Sequence, residues 1–518
     1  MLLLCNRIPV KRRCLAEERY TSRLCGWREC PAESRDPPAR GEATICKRKQ
    51  TMSEKNHRHI SRRTFFFMSG AAALAGCATT AKKPSIRISA NERLNIAGVG
   101  CGGQAFGDLN DIIRNQENCV ALCDPDWEQG KNGFQKWSGA AKYRDYREML
   151  DKEHNNIDAV VVACPDHMHA PAALAAMELG KHVYVEKPLT RTIYEADVLL
   201  KAARRYKVAT QMGNQGHSGD GVRRMCEAVW AGLAGDITEV HIWTDRPIWP
   251  QGIPEPLPEQ PVPDTMAWDV WIGVAPMRPY NKGYAPFNWR GWWDFGCGAL
   301  GDMACHIMDP AYWALDLSTP TSVECLKQEN ANKQTGPTKA LVKYEFPQRV
   351  NQYASKYLGK DITMPPVVVY WYEGGWQPER PAGVPADEKL GDGDNGSLFV
   401  GTKGLLTTGC YGDDTRLVPA SVMESNKEAF QKLEKIIPRV ETPGGHRRDW
   451  VRACKEGTPS ASNFEYAVPL TKTVLLGNLA MQTGQKVYWD AANDRVTNNV
   501  PGVEALIKPD YRAPYKLG

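Results

Sequence analysis

From Leu94 onward, short apolar runs alternate with longer segments of helical pattern. The run Leu94-Asn95-Ile96-Ala97-Gly98-Val99 reads as a buried strand and 104–114 as a helix. Val120-Ala121-Leu122-Cys123 reads as a second strand ending on Asp124. The alternation continues with strands over 157–164, 182–185 and 208–212, and with helices over 170–179 and 193–205. Strands separated by helical segments predict a parallel sheet with right-handed crossovers. Ligands gather at the carboxyl ends of such strands. Four segments fall there: the glycine turn after the first strand, 165–169, Glu186-Lys187-Pro188 and Asn214.

After residue 216 the pattern changes. Strand-like runs at 237–244, 322–326, 340–346, 367–372 and 397–400 follow without a helix between each, predicting an open, largely antiparallel sheet. The prolines crowded into 247–263 predict a loop or insertion. Residues 446–456 and 464–483 look helical and are expected to pack back on the first domain. The expected fold is therefore α/β: a doubly wound Rossmann domain over 93–216, then an α+β substrate-binding and oligomerisation domain over 217–495, with a tail over 496–518. An exposed open sheet favours pairing between subunits, hence a homo-oligomer.

The N-terminus has a different character. Residues 1–51 lack apolar periodicity and read as an upstream extension, with translation beginning at Met52. Residues 52–77 have the layout of a signal peptide. Ser61-Arg62-Arg63-Thr64-Phe65-Phe66 supplies a twin-arginine pair, and an apolar run over 67–75, too short for a permanent span, follows it. Leu74-Ala75-Gly76-Cys77 resembles a lipobox, making Cys77 the expected lipidation site and sole membrane anchor. A linker over 78–92 completes the segment. The expected location is outside the cytoplasm, as a periplasmic or outer-surface lipoprotein.

This segment also explains the charge. The chain has 65 basic and 60 acidic side chains, but residues 1–77 hold 16 of the basic and 7 of the acidic ones. The remainder is net acidic, which removes any charge argument for a nucleic-acid partner. Of 16 cysteines, six lie at or before Cys77, and the others show no CxxC or Cys/His spacing, so reduced thiols and no metal site are expected.

Gly98-Val99-Gly100-Cys101-Gly102-Gly103 sits between a strand and a helix, the context in which a glycine turn binds a dinucleotide. Gly98 is expected to allow the tight turn, Gly100 to admit the pyrophosphate, and Gly103 to let helix and strand pack closely. Phosphates would then meet the positive end of the helix. Asp124, 21 residues beyond Gly103, is placed to accept hydrogen bonds from ribose hydroxyls and to repel a 2′-phosphate, favouring NAD over NADP.

With these features in view, GVGCGG, ACPDHMHAPAALAAMELGKHVYVEKPL (163–189) and GALGDMACHIMD (298–309) resemble the Gfo/Idh/MocA oxidoreductases, which include glucose–fructose oxidoreductase and inositol dehydrogenase. The resemblance runs from about residue 93 to 489 and is densest in the first half. It implies that Lys187 sits beside the nicotinamide and the substrate hydroxyl. It also implies that Pro165, Asp166, His169, Glu186 and Asn214 lie near the cofactor. Asp302 and His306 match the family's D-x-x-x-H pair, and their spacing places both on one helix face. We assign His306 as general base, Asp302 as its partner or a hydroxyl ligand, and Lys187 as the cation that steadies charge on oxygen. Asp309 is structural or binds substrate. His167 reads as exposed, and His217 as a cap or solvated residue.

The run 287–295 is rich in aromatic residues. Trp289, Arg290 and Trp292 are candidates for stacking on and hydrogen bonding a sugar, with core packing or a dimer contact as the alternative for any one Trp. The expected activity is hydride transfer between a sugar or polyol hydroxyl and a nicotinamide cofactor. A cofactor loaded before export must be held tightly, because no nicotinamide pool is maintained outside the cytoplasm. An NAD-dependent glycoside hydrolase, which oxidises a sugar transiently, is the alternative, and the intact Lys187 leans against it. A non-catalytic sugar-binding lipoprotein is the third reading, disfavoured by the joint presence of Lys187, Asp302 and His306.

Overall fold

Short apolar strands alternate with amphipathic helices from Asn95 to Met212, and in the computed structural model they close into a parallel sheet. Residues 92–440 and 445–517 are described; both sheets belong to the unit Ala81–Gly518. The expected extension, signal peptide and Cys77 lie outside the described residues.

The elements of the first half are β1 (Asn95–Val99), α1 (Gly103–Ile113), β2 (Asn118–Cys123), α2 (Lys131–Lys136), β3 (Ala141–Tyr143), α3 (Tyr146–Glu153), β4 (Ala159–Val162), α4 (His169–Glu178), β5 (His182–Val185), α5 (Ile193–Tyr206) and β6 (Thr210–Met212). The strand order β3-β2-β1-β4-β5-β6 is all parallel, with a reversal of direction about β1 and β4. That reversal opens the crevice at the carboxyl ends of β1 and β4 where ligands bind. Ala159, Val160, Val161 and Val162 are wholly buried, as a strand covered by helices on both faces requires.

The second half begins with α6 (Asp220–Trp230), β7 (Ile237–Trp243), α7 (Trp268–Ile272), α8 (Gly298–Ile307), α9 (Asp309–Leu315), β8 (Ser322–Glu329) and β9 (Lys339–Phe346). A two-stranded ribbon, β10 (Arg349–Val350) with β11 (Thr363–Met364), brackets α10 (Gln352–Leu358). Then come β12 (Val367–Glu373), β13 (Gly396–Gly401), β14 (Leu405–Thr408), β15 (Arg416–Val418), α11 (Ala420–Ser425), α12 (Lys427–Gln431), α13 (Gly445–Glu456), α14 (Phe464–Thr483), β16 (Val487–Asp490), β17 (Arg495–Val496) and α15 (Val503–Ile507). Nine of these strands form one sheet in the order β15-β14-β13-β7-β12-β9-β8-β16-β17, antiparallel except for β7 with β12.

Helix α14 joins the halves. It packs on β8 and β9 of the large sheet and on α5 and β6 of the nucleotide half. Sixteen of its 20 residues are buried, which explains why its sequence is apolar on nearly every side. Helix α13 lies against α1, tied by Arg447 to Asp108 (2.6 Å) and Asp111 (3.2 Å). The segment after β17 also returns to the core, burying Tyr515 and Leu517.

Candidate active site

The glycine turn divides its work differently from the sequence expectation. Gly98 lies inside β1, where a Cβ would stand 2.9 Å from the Leu109 side chain, so it is the residue that lets α1 pack closely. Gly100, at φ +88°, makes the turn, and a Cβ there would meet the Ala163 carbonyl oxygen at 2.6 Å. Gly103 adopts φ +50° and opens α1. At Gly102 a Cβ would lie 2.1 Å from the Gln129 carbonyl oxygen. Cys101 turns its thiol inward, donating to the Cys123 carbonyl at 3.4 Å. The first turn of α1 has no side-chain cap and no acidic residue, leaving its N–H groups for an anion. This glycine cradle fits a dinucleotide pyrophosphate.

Asp124 lines the same cavity but has a second duty. Its buried carboxylate accepts the backbone N–H groups of Cys101 and Asp126, each at 3.0 Å, and so braces the turn. Burial pushes this carboxyl up to about 7, against the lowering effect of those two donors.

The second half reaches over this end of the cavity. Ala267 N–H donates to the Pro125 carbonyl (2.8 Å) and Trp127 N–H to the Thr265 carbonyl (3.0 Å). Arg144 donates to the carbonyls of Thr265 (2.7 Å) and Pro125 (3.2 Å), with its guanidinium 4.7 Å from the Trp127 ring centre. Trp271 of α7 lines the cavity from this strap. Arg512 pins the strap from outside through the Gly273 carbonyl (3.0 Å) and Asp269 (2.7 Å).

At the other end, charged side chains converge from distant parts of the chain. Lys187 Nζ, just past β5, donates to Asp302 Oδ1 at 2.7 Å and to the Asp302 carbonyl at 2.9 Å. Arg290 lies 3.2 Å from the same Oδ1 and 3.3 Å from Asp166 Oδ1. Burial works against the Asp302 charge, yet Lys187 and then Arg290 hold its carboxyl well below the usual range. Asp166 also accepts the Cys297 N–H at 3.1 Å. His306 lies one turn further along α8, buried, with no partner for Nδ1 among the described residues. Burial, then the Lys187 charge, push its pKa well below the ordinary value, so the ring is neutral.

Around this cluster, Pro165, Asp166, His169, Glu186 and Trp289 also line the cavity. The ring nitrogens of His169 lie 2.9 Å from the Pro188 carbonyl and 2.8 Å from that of Cys164, joining the ends of β4 and β5. Glu186 accepts from Gln215 Nε2 at 2.8 Å; burial, then the nearby Asp108, raise its carboxyl to about 8. Asn214 is fully buried with neither amide atom partnered among the described residues, and Gln215 beside it is the one that lines the cavity.

Several expectations are corrected. Trp292 is fully buried against Tyr284 in an aromatic core and donates to the Gly283 carbonyl, because α7 and its flanking loops supply enough rings to enclose it. Asp309 lies outside the cavity lining, accepting from His217 Nδ1 (3.0 Å) and the Tyr466 hydroxyl (2.5 Å), which is its structural alternative. His217 is accordingly buried and neither caps a helix nor meets solvent. His167 is buried too, its ring nitrogens 3.0 and 3.2 Å from the carbonyls of Trp271 and Phe295. Sequence reasoning missed Arg144, Trp249, Trp271, Phe287 and Tyr411, all of which line the cavity. Arg144, Trp249, Trp271 and Tyr411 lie apart along the chain and offer no local signal, whereas Phe287 opens the aromatic run 287–295 and was not picked out within it.

The chain is similar in part to several known proteins. Levoglucosan dehydrogenase of Pseudarthrobacter phenanthrenivorans is 26% identical over 172 residues, covering 32% of this chain and 35% of that protein. Glucose-6-phosphate 3-dehydrogenase of Bacillus subtilis is 29% identical over 122 residues, 24% of this chain and 33% of that one. The α-N-acetylgalactosaminidase of Shewanella oneidensis is 34% identical over 92 residues, 18% and 20% of the two chains. The match thus spans about a third or less of these relatives. The WlbA dehydrogenase of Bordetella pertussis, solved with NADH and UDP-GlcNAcA, shares the fold at TM-score 0.50 and 16% identity, over 77% of this chain and 99% of that one. Residues 93–214 match the model described as the oxidoreductase family's NAD-binding Rossmann fold, and 241–348 match its C-terminal alpha/beta domain. Two consecutive segments of this chain are thus similar, each in its own stretch, to the two domains of the Gfo/Idh/MocA NAD-binding oxidoreductases.

Proposed function

We propose that the protein moves hydride between a secondary hydroxyl of a sugar or polyol and a tightly held NAD, with Lys187, Asp302 and His306 as catalytic residues. The observation that carries this reading is the convergence of a neutral His306, whose Nδ1 has no hydrogen-bond partner among the described residues, and the 2.7 Å Lys187–Asp302 pair on the cavity floored by the glycine turn. NAD, when bound, supplies the acceptor for the hydride. In the oxidation direction the hydroxyl proton passes to His306 as the carbon loses hydride, leaving a ketone and an imidazolium. Lys187 stabilises negative charge on the oxygen, while Asp302, held ionised, fixes Lys187 and balances the new imidazolium. Trp289 and Arg290 offer a face and donors for the ring.

Retention of the cofactor is supported by the strap over residues 125–127, and the choice of NAD over NADP by Asp124, which lines the cavity and whose carboxylate disfavours a 2′-phosphate. Export behind Arg62-Arg63, with lipidation at Cys77, gives that retention a purpose. A homo-oligomer is part of the same reading. The glycosidase among the relatives favours one second reading, in which oxidation is transient and a glycosidic bond is cleaved without net redox change. Mass spectrometry of the denatured protein should find NAD, and a panel of sugars and glycosides should change nicotinamide absorbance. Recovery of empty protein refutes retention; release of sugar with no absorbance change selects the hydrolase.

A further inference from the structure

The cavity contains a side chain that the reaction above does not use. Tyr411 lies on the turn between β14 and β15, at the edge of the nine-stranded sheet and beyond both segments matched to the family. It nevertheless lines the cavity with Lys187, Arg290 and His306. Its ring meets the His306 imidazole edge-on, centroids 5.0 Å apart and planes 67° from parallel. It is 46% exposed, and its hydroxyl has no hydrogen-bond partner among the described residues.

The turn is built to hold that position. Cys410 N–H donates to Asp392 Oδ2 at 2.6 Å, Gly409 N–H to the Asp413 carbonyl at 2.8 Å, and Gly412 N–H to the Gly409 carbonyl at 3.1 Å. Two glycines following β6 make room for it. A Cβ at Gly216 would stand 2.9 Å from the Tyr411 carbonyl oxygen, and one at Gly221 only 2.0 Å from that of Gly412. Thr415 Oγ1 donates across the same seam to the Gly221 carbonyl at 3.2 Å. The turn is thus docked on the segment that leaves the nicotinamide end of the parallel sheet.

From this geometry we infer that Tyr411 is a further active-site residue: its hydroxyl donates a hydrogen bond to a substrate oxygen, and its ring keeps water from His306. The inference rests on the proposed carbohydrate reaction for its first half and on the structure alone for its second. Burial raises the phenol to about 12, so it remains a donor across the working range. The titratable groups that face His306 are the charged Lys187, Asp302 and Arg290 and the buried His446, whose pKa burial lowers to about 3, and Tyr411 adds no charge, so its action on His306 is exclusion of water.

Two variants separate the roles. Tyr411→Phe keeps the ring and loses the donor, so KM should rise about fivefold to tenfold with kcat nearly unchanged. Tyr411→Ala also admits water to His306, so kcat should fall as well. In ¹⁵N-histidine NMR, with His306→Gln for assignment, wild type and Tyr411→Phe should show no His306 titration near neutrality. Tyr411→Ala should bring its midpoint up towards the ordinary histidine range. Melting temperature and bound nucleotide confirm that both variants fold. Wild-type KM in Tyr411→Phe overturns the hydrogen bond, and an unmoved His306 in Tyr411→Ala overturns the screening. If the wild type turns over no carbohydrate, the proposed reaction fails, and the NMR titration still decides the contact with His306.

Discussion

Replacing Lys187 with Ala tests the catalytic arrangement at its centre. The ammonium is 2.7 Å from Asp302 Oδ1, with the two side chains 13% and 10% exposed. Removing one partner of a buried pair costs about 3–5 kcal/mol when the other is left uncompensated. Here Arg290 remains 3.2 Å from the same oxygen, so Asp302 keeps a counter-charge and the folded state survives. Catalysis has no such reserve. Losing a preorganised donor to a developing oxyanion lowers kcat about 10²–10³-fold, or about 2.7–4 kcal/mol. A pH signature accompanies the loss. The Lys187 charge is the second cause, after burial, of the low His306 pKa. Without it the His306 pKa rises, more of the ring is protonated at a given acidic pH, and the acid limb of the kcat/KM profile moves to higher pH. Steady-state nicotinamide absorbance over a pH series gives both readings, and mass spectrometry confirms that the variant still carries its nucleotide. A kcat within about threefold of wild type, or an acid limb that stays or moves down, refutes the assignment.

Two further outcomes follow from other parts of the site. Arg144→Ala removes donors to the Thr265 and Pro125 carbonyls at the strap, a loss of about 1–2 kcal/mol, so nucleotide release measured by dilution of NADH-loaded protein should quicken about tenfold. An unchanged release rate would show that the strap does not hold the cofactor. Asp309→Ala leaves the buried His217 and Tyr466 donors without their acceptor, at about 1–3 kcal/mol each, so the melting temperature should fall while KM below the melt stays near wild type. A large KM change with an unaltered melt would return Asp309 to the substrate site.

Legibility of the fold in the sequence followed the length and exposure of each element. Strands β1, β2, β4, β5 and β6 stand out because helices cover both faces of their sheet, leaving continuous apolar runs. Strand β3 has three residues, with exposed Lys142 at its centre, and carries no such run. In the large sheet β7, β8, β9, β12 and β13 were readable, whereas β14 to β17 are at most four residues long and lie at its edges. The i, i+4 spacing of Asp302 and His306 survived because both are on α8, where local spacing alone sets the shared face. Local spacing says nothing of partners far away. His217 meets Asp309 across 92 residues, so its burial was invisible from its neighbours, and Trp292 differs from Trp289 in what packs around it rather than in its flanking sequence.

The same distances predict that binding and chemistry are coupled in this molecule. The nucleotide cradle comes from β1, β2 and β4, but the strap closing it comes from 264–272 and the residue pinning that strap is Arg512. Lys187 stands at the end of β5, while Arg290 and Asp302 arrive through the segment that follows the strap. The strap's own aromatic cluster, with Trp268, Trp271 and Phe295, ends two residues before Cys297, whose N–H is held by Asp166. A disturbance that lifts the strap from residues 125–127 therefore pulls on the chain that places Arg290 against both Asp166 and Asp302. By this reasoning Arg144→Ala should lower kcat as well as speed release, although Arg144 touches none of the proposed catalytic groups. Release that quickens with kcat fixed would show that the cradle and the catalytic cluster are held independently.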